Sequence, residues 1–135
     1  MGFLLKMGYD ASVYLIYGIK INIHNQSFEV EEKVTHIIEL LKPGFLDQFD
    51  NDDDIGCICE NLDMDPLKHG YYCFSIGNDF FVACYVHEHV SARSSDDCLE
   101  VTLPSQELLD EFGAWIVENN IDGEPKFYTK LYESY

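Results

Sequence analysis

From Ser12 to His24 the chain alternates with a period of two. Val13, Leu15, Tyr17, Ile19, Ile21 and Ile23 fall on one side, with Tyr14, Ile16, Gly18, Lys20 and Asn22 on the other. Only an extended backbone sends successive side chains to opposite faces, so this segment is a β-strand. Its second face is apolar early and polar late, which predicts a strand that starts inside a sheet and runs out toward solvent.

The period then changes. Val30, Val34, Ile37, Ile38 and Leu41 recur at helical spacing between Glu29 and Lys42, with Glu31, Glu32, Lys33 and Glu39 on the remaining surface. That pattern predicts an amphipathic helix, with Ser27 as N-cap and Pro43-Gly44 as its stop. Asp47 to Asp65 is rich in Asp and Asn. It reads as a long surface loop around a short strand near Cys57 to Glu60. Tyr71 to Ile76 and Phe80 to Val86 are two β-rich runs split by Gly77-Asn78-Asp79, a hairpin signal, and the apolar residues on both faces of the second run predict a central strand. A further short strand is expected from Cys98 to Leu103. A second helix is expected from Pro104 to Asn120, with Leu108, Leu109, Phe112, Trp115 and Ile116 on one side. Lys126 to Tyr132 reads as a last strand carrying Phe127, Thr129 and Leu131 on one face, with Lys126 and Lys130 as edge gatekeepers.

Strand, helix, hairpin, helix, strand is the order of an α+β two-layer sandwich, in which two helices cover one face of a largely antiparallel sheet. A ferredoxin-like βαββαβ connection is its simplest version. A chain of 135 residues predicts a single domain over 1–135, and it is long enough to bury a core without disulfide staples. Five cysteines, an odd number set in apolar text, fit reduced thiols in a cytoplasmic setting. The opening residues have too short an apolar run for a signal peptide, and no segment has the length to span a bilayer.

Function is constrained mostly by charge. With 25 acids against 8 bases the formal charge is -17, while 9 Tyr, 9 Phe and a Trp keep the chain out of the disordered polyanion class. Nucleic acid and anionic lipid both need positive protein charge, so direct nucleic-acid binding and membrane binding are disfavoured. No G-x-G-x-x-G or Walker pattern occurs, and no cysteine sits in a nucleophile-elbow context.

Three side-chain sets carry metal-ligand chemistry. Asp50-Asn51-Asp52-Asp53-Asp54 supplies oxygen ligands for a hard cation. Yet counted from Asp50 the glycine comes one place late at Gly56, and position twelve is Asn61 rather than Glu, so the segment is read as a solvated loop. Cys57, Cys59, His69 and Cys73 are zinc-type ligands, but one residue between the first two suits a strand with both sulfurs buried on one face. His87-Glu88-His89 places two imidazoles on one face of extended chain without an evident third ligand, and reads as the end of a strand meeting solvent. No metal, cofactor or catalytic residue is therefore expected.

No Lys or Arg lies between Lys42 and Lys68 or between Arg93 and Lys126. If both tracts share a face, Asp47, Asp50, Asp52, Asp53, Asp54, Asp63 and Asp65 join Glu107, Asp110, Glu111 and Glu118 in one negative surface. Such a surface steers toward basic proteins. The favoured expectation is an acidic interaction module, in the form of a nucleic-acid-mimicking inhibitor of a basic nucleic-acid-handling protein or nuclease, as a virus or mobile element would carry. An assembly protein whose charge serves solubility, and a small metal-dependent enzyme using His87, His89 and oxygens of the acidic loop, are the alternatives.

Overall fold

A computed structural model describes residues 10–24, 27–50, 52–90 and 102–134. Four strands, β1 (Asp10–Asn22), β2 (Tyr72–Ile76), β3 (Asp79–Val90) and β4 (Lys126–Ser134), form one sheet in the order β2-β3-β1-β4. Every neighbouring pair is antiparallel. Since β1 and β2 both run opposite to β3, they are parallel to each other with β3 between them. The same holds for β3 and β4 around β1. Two interlocked split βαβ units of this kind are the ferredoxin-like connection expected from the order of elements.

Helices α1 (Phe28–Leu41), α2 (Ile55–Glu60) and α3 (Gln106–Glu118) lie on one side of the sheet. α1 begins where Ser27 Oγ accepts the Val30 N–H at 3.3 Å, and α3 where Ser105 Oγ accepts the Leu108 N–H at 3.2 Å. α3 closes in a Schellman turn. Asn120 takes a left-handed φ of 58°, its N–H donates to the Val117 carbonyl, and the Ile121 N–H reaches back to the Ile116 carbonyl at 3.0 Å. Val34, Ile37, Ile38 and Leu41 of α1 meet Phe112 and Ile116 of α3, Ile55, Ile58 and Cys59 of α2, and Ile19, Ile21, Phe80 and Val82 of the sheet in one core. Burying each of the larger side chains contributes roughly 1.5–3 kcal/mol, enough together for the fold to stand with the described cysteines unpaired.

α2 corrects an expectation. The segment around Cys57 to Glu60 is a helix and not a strand, and the acidic segment is less loop-like than its composition suggests, since a 3-10 turn also occupies Phe45–Gln48. Asp54 caps α2, its Oδ1 accepting the Cys57 N–H at 2.7 Å, and the apolar residues at 55, 58 and 59 follow helical spacing. Two residues along a helix are about 200° apart. Cys57 therefore faces solvent and Cys59 the core, not one face together. The hairpin turn is only Gly77-Asn78, with Asp79 already in β3. Of the strand expected from Cys98 to Leu103, residues 98–101 lie outside the described set, and Thr102 and Leu103 are not in a strand.

β3 holds a bulge against β1. Tyr17 stands opposite Tyr85 and Gly18 opposite Ala83, which leaves Cys84 without a partner. Cys84 and Tyr85 consequently both pack toward the helices, while Ala83 and Val86 point to the other face. Gly18 is required here, because a Cβ on it would lie 2.1 Å from the Val82 carbonyl oxygen and 2.6 Å from the Ala83 Cα.

The face away from the helices is buried as well. Tyr14, Ile16, Phe74, Ile76, Phe81 and Ala83 make a second core, flanked by Met64, Tyr72, Val86 and Tyr128. The sheet curls to form it. Phe81 stands opposite Lys20 of β1 and Tyr128 opposite Ile16, yet the two rings are 5.8 Å apart and the Lys20 Nζ sits 5.4 Å over Tyr128.

Candidate protein-interaction surface

α1 is the middle of the helix layer. On one flank Glu31 and Thr35 face Leu46, Phe49, Asp50, Asp53 and Ile58 across a shallow groove of about 170 Å³. On the other flank Glu29, Val30, Glu32, Lys33 and His36 face Asn120, Ile121 and Asp122 across an open groove of about 610 Å³. The Schellman turn of α3 sets the far wall of this larger groove. His36 bonds to the Asn119 carbonyl at 2.9 Å through Nε2. A carbonyl only accepts, so the Nε2–H donates and the imidazole ties α1 to the end of α3.

The eleven acids expected from sequence divide by what their carboxylates hold. Asp53 Oδ2 accepts the Asp50 N–H at 2.8 Å and Asp54 caps α2, so these two carboxylates order their own backbone. Asp47, Asp50 and Asp52 are exposed on the approach to α2. Asp63 and Asp65 are exposed beyond it on either side of Met64, which packs on the core of the opposite face, so the structure does not bring these two into the helix-side set. Glu107, Asp110, Glu111 and Glu118 are exposed along α3, where Asp110 Oδ1 also receives the Gln106 amide at 2.9 Å. α2 and α3 cover the same side of the sheet, with α1 standing between the two base-free tracts. The exposed Glu29, Glu31 and Glu32 of α1 fill that interval. Sequence reasoning passed over them because it searched for tracts free of lysine, and α1 contains Lys33.

The described lysines stand on both faces. Within the helix layer Lys42 lies with its Nζ 4.7 Å over the Phe45 ring, Lys33 is half-buried at the larger groove, and Lys68 is exposed in the 3-10 turn beside α1. Strand alternation sends Lys20, Lys126 and Lys130 to the opposite face, where Lys130 pairs with Asp79. Lys130 is thus held across the concave side of the sheet, besides belonging to the edge strand.

The other candidate groups have structural places. Burial pushes the thiols of Cys59 and Cys73 up to about 12 and that of Cys84 up to about 11, which keeps all three protonated and unreactive at neutral pH. His69, at a left-handed φ of 66°, lies 6.4 Å from Trp115 and 5.9 Å from Tyr71, ring to ring, and with Phe112 these residues form the aromatic seat of α3. His87 is inside β3 rather than beyond it, opposite Leu15. Among the described residues no group of three or more His, Cys, Asp or Glu side chains converges as a metal site, and no helix is long and apolar enough to cross a membrane. Compared with known proteins, the chain matches no family model, no curated protein and no solved structure.

Proposed function

We propose that this protein is an acidic binding module whose helix layer engages a basic protein surface of the kind that holds nucleic acid. The observation that supports the reading is the excess of exposed carboxylates over lysines in the helix layer. Exposed carboxylates from α1, residues 47–54 and α3 outnumber the lysines of that layer, Lys33, Lys42 and Lys68. A net negative field on one side raises the encounter rate with an oppositely charged partner and orients it on approach. A phosphate backbone presents the same kind of field, so a groove built for nucleic acid is the complementary partner.

The test is capture of partners from a host extract on immobilised protein, washed with graded salt and then with duplex DNA. A variant with Glu31→Gln, Glu32→Gln, Asp50→Asn and Asp52→Asn should lose the capture. The bound partner should also be released by DNA and by salt. Capture that survives both the substitutions and the DNA wash refutes the reading.

A further inference from the structure

Among the described residues β4 has one neighbour, β1, leaving a nine-residue strand as the edge of the sheet. Natural edges avoid presenting apolar side chains, because an open ladder of backbone groups is a template for pairing. β4 keeps that rule on one face through Lys126 and Lys130 and breaks it on the other. Phe127 is 45% exposed and Leu131 55%, and they flank the exposed Thr129 on the helix side of the sheet.

We infer that β4 pairs antiparallel with β4 of a second copy, joining two sheets into one about a two-fold axis at Thr129. An axis perpendicular to the sheet keeps like faces together, so each odd-numbered residue must meet an odd-numbered one. Centred on Thr129, this sets Phe127 opposite Leu131 on both sides of a Thr129–Thr129 pair. Aromatic–aliphatic and threonine–threonine pairs are favourable cross-strand neighbours. On the other face Tyr128 falls opposite Lys130, and no like charges are opposed.

The adjacent registers fail on charge. Centring on Lys130 sets two lysines against each other, and centring on Tyr128 sets Lys126 against Lys130. β4 thus favours this self-pairing over the two registers beside it. It also meets its copy along a stretch, residues 126–132, that carries no acid, although the whole chain has a charge of -17. Added salt, by screening the long-range repulsion, therefore strengthens this association. Binding of a basic partner by the acidic face has the opposite salt dependence, which keeps the two ideas separable.

Sedimentation across a concentration series, at low and high salt, reads the result. The native chain should shift toward twice its mass as concentration and salt rise. Phe127→Lys or Leu131→Glu alone should weaken dimerisation at least about tenfold. Together they place Lys opposite Glu across the axis and should restore it, now with sensitivity to salt. Thr129→Cys in a Cys57→Ser, Cys98→Ser background should form an intermolecular disulfide on mild oxidation, since directly opposed residues have Cα atoms about 4.5–5.5 Å apart. A chain that stays monomeric in concentrated solution at high salt overturns the inference. So do single variants that dimerise as the native chain does, a double variant no better than the singles, or capture of a strand from a different protein in preference to its own copy.

Discussion

Lys130 Nζ and Asp79 Oδ2 are 2.8 Å apart, although the sheet register sets them far from each other. Lys130 stands opposite Tyr14 and Asp79 opposite Asn22, two positions on β1 that a flat strand would separate by about 26 Å. Only a sheet that turns back on itself brings them together, and the bulge beside Gly18 lies between the two points. The ion pair closes the concave face over the second core. With side-chain exposures of 32% and 16%, it is partly screened from solvent.

Removing Lys130 leaves the less exposed partner without its cation. Lys130→Met should lower stability by about 1–2 kcal/mol, and Asp79→Asn, which keeps a hydrogen-bond acceptor, by less. A double-mutant cycle in urea measures the coupling, and zero coupling would mean that the pair does not hold the curvature.

Gly18→Ala should be among the most damaging single-methyl additions in the chain. Its Cβ would meet backbone on both the Val82 and Ala83 side, where no flexible side chain can yield. A loss of about 3 kcal/mol or more is expected, together with reduced Phe81–Tyr128 contact. A thermal melt matching the native protein would show that β3 can shift to make room.

The buried thiols give a signed pH dependence. Their folded values of about 11 to 12 lie above the ordinary 9.0. The folded state therefore holds these protons after the unfolded chain has begun to release them. Their contribution is complete below about pH 9 and is lost as pH rises toward the folded values. Urea midpoints should fall between pH 8.5 and about 11, and Cys73→Ala should flatten the fall. In the native state at neutral pH, alkylation followed by mass spectrometry should label Cys57 and spare Cys59, Cys73 and Cys84.

Phe112 is fully buried between Tyr71 and Trp115, its ring 5.1 Å and 6.1 Å from theirs. Phe112→Ala should cost about 3–5 kcal/mol and shift the emission of Trp115 toward the red as water enters. Unchanged emission would place the seat of α3 elsewhere.

The long periodic segments were legible from sequence because each repeats its pattern often enough to be read. β1, α1, the hairpin, α3 and the edge strand all fall within a few residues of where the periods put them. α2 was missed because six residues hold fewer than two helical turns, and Cys57-Ile58-Cys59 imitates alternation over so short a span. Its signal was present in Asp54 as a cap and in apolar residues at 55, 58 and 59. The bulge left no mark at all. β3 is apolar on both faces, so a change of phase at Cys84 exposes nothing that would betray it. The middle position of α1 in the helix layer was equally hidden, since neighbours across a layer are set by packing and not by local period. The glutamates that bridge the acidic tracts were therefore out of sequence reach.

The order of strands also bears on how the chain is made. β1 is synthesised first among the strands, yet β4, its partner on one side, is the last of them to leave the ribosome. Until then one flank of β1 stands bare, and growing chains on the same messenger risk joining through it. A strong negative charge spread over the intervening segments repels such neighbours, and each copy of this chain carries the same formal charge of -17.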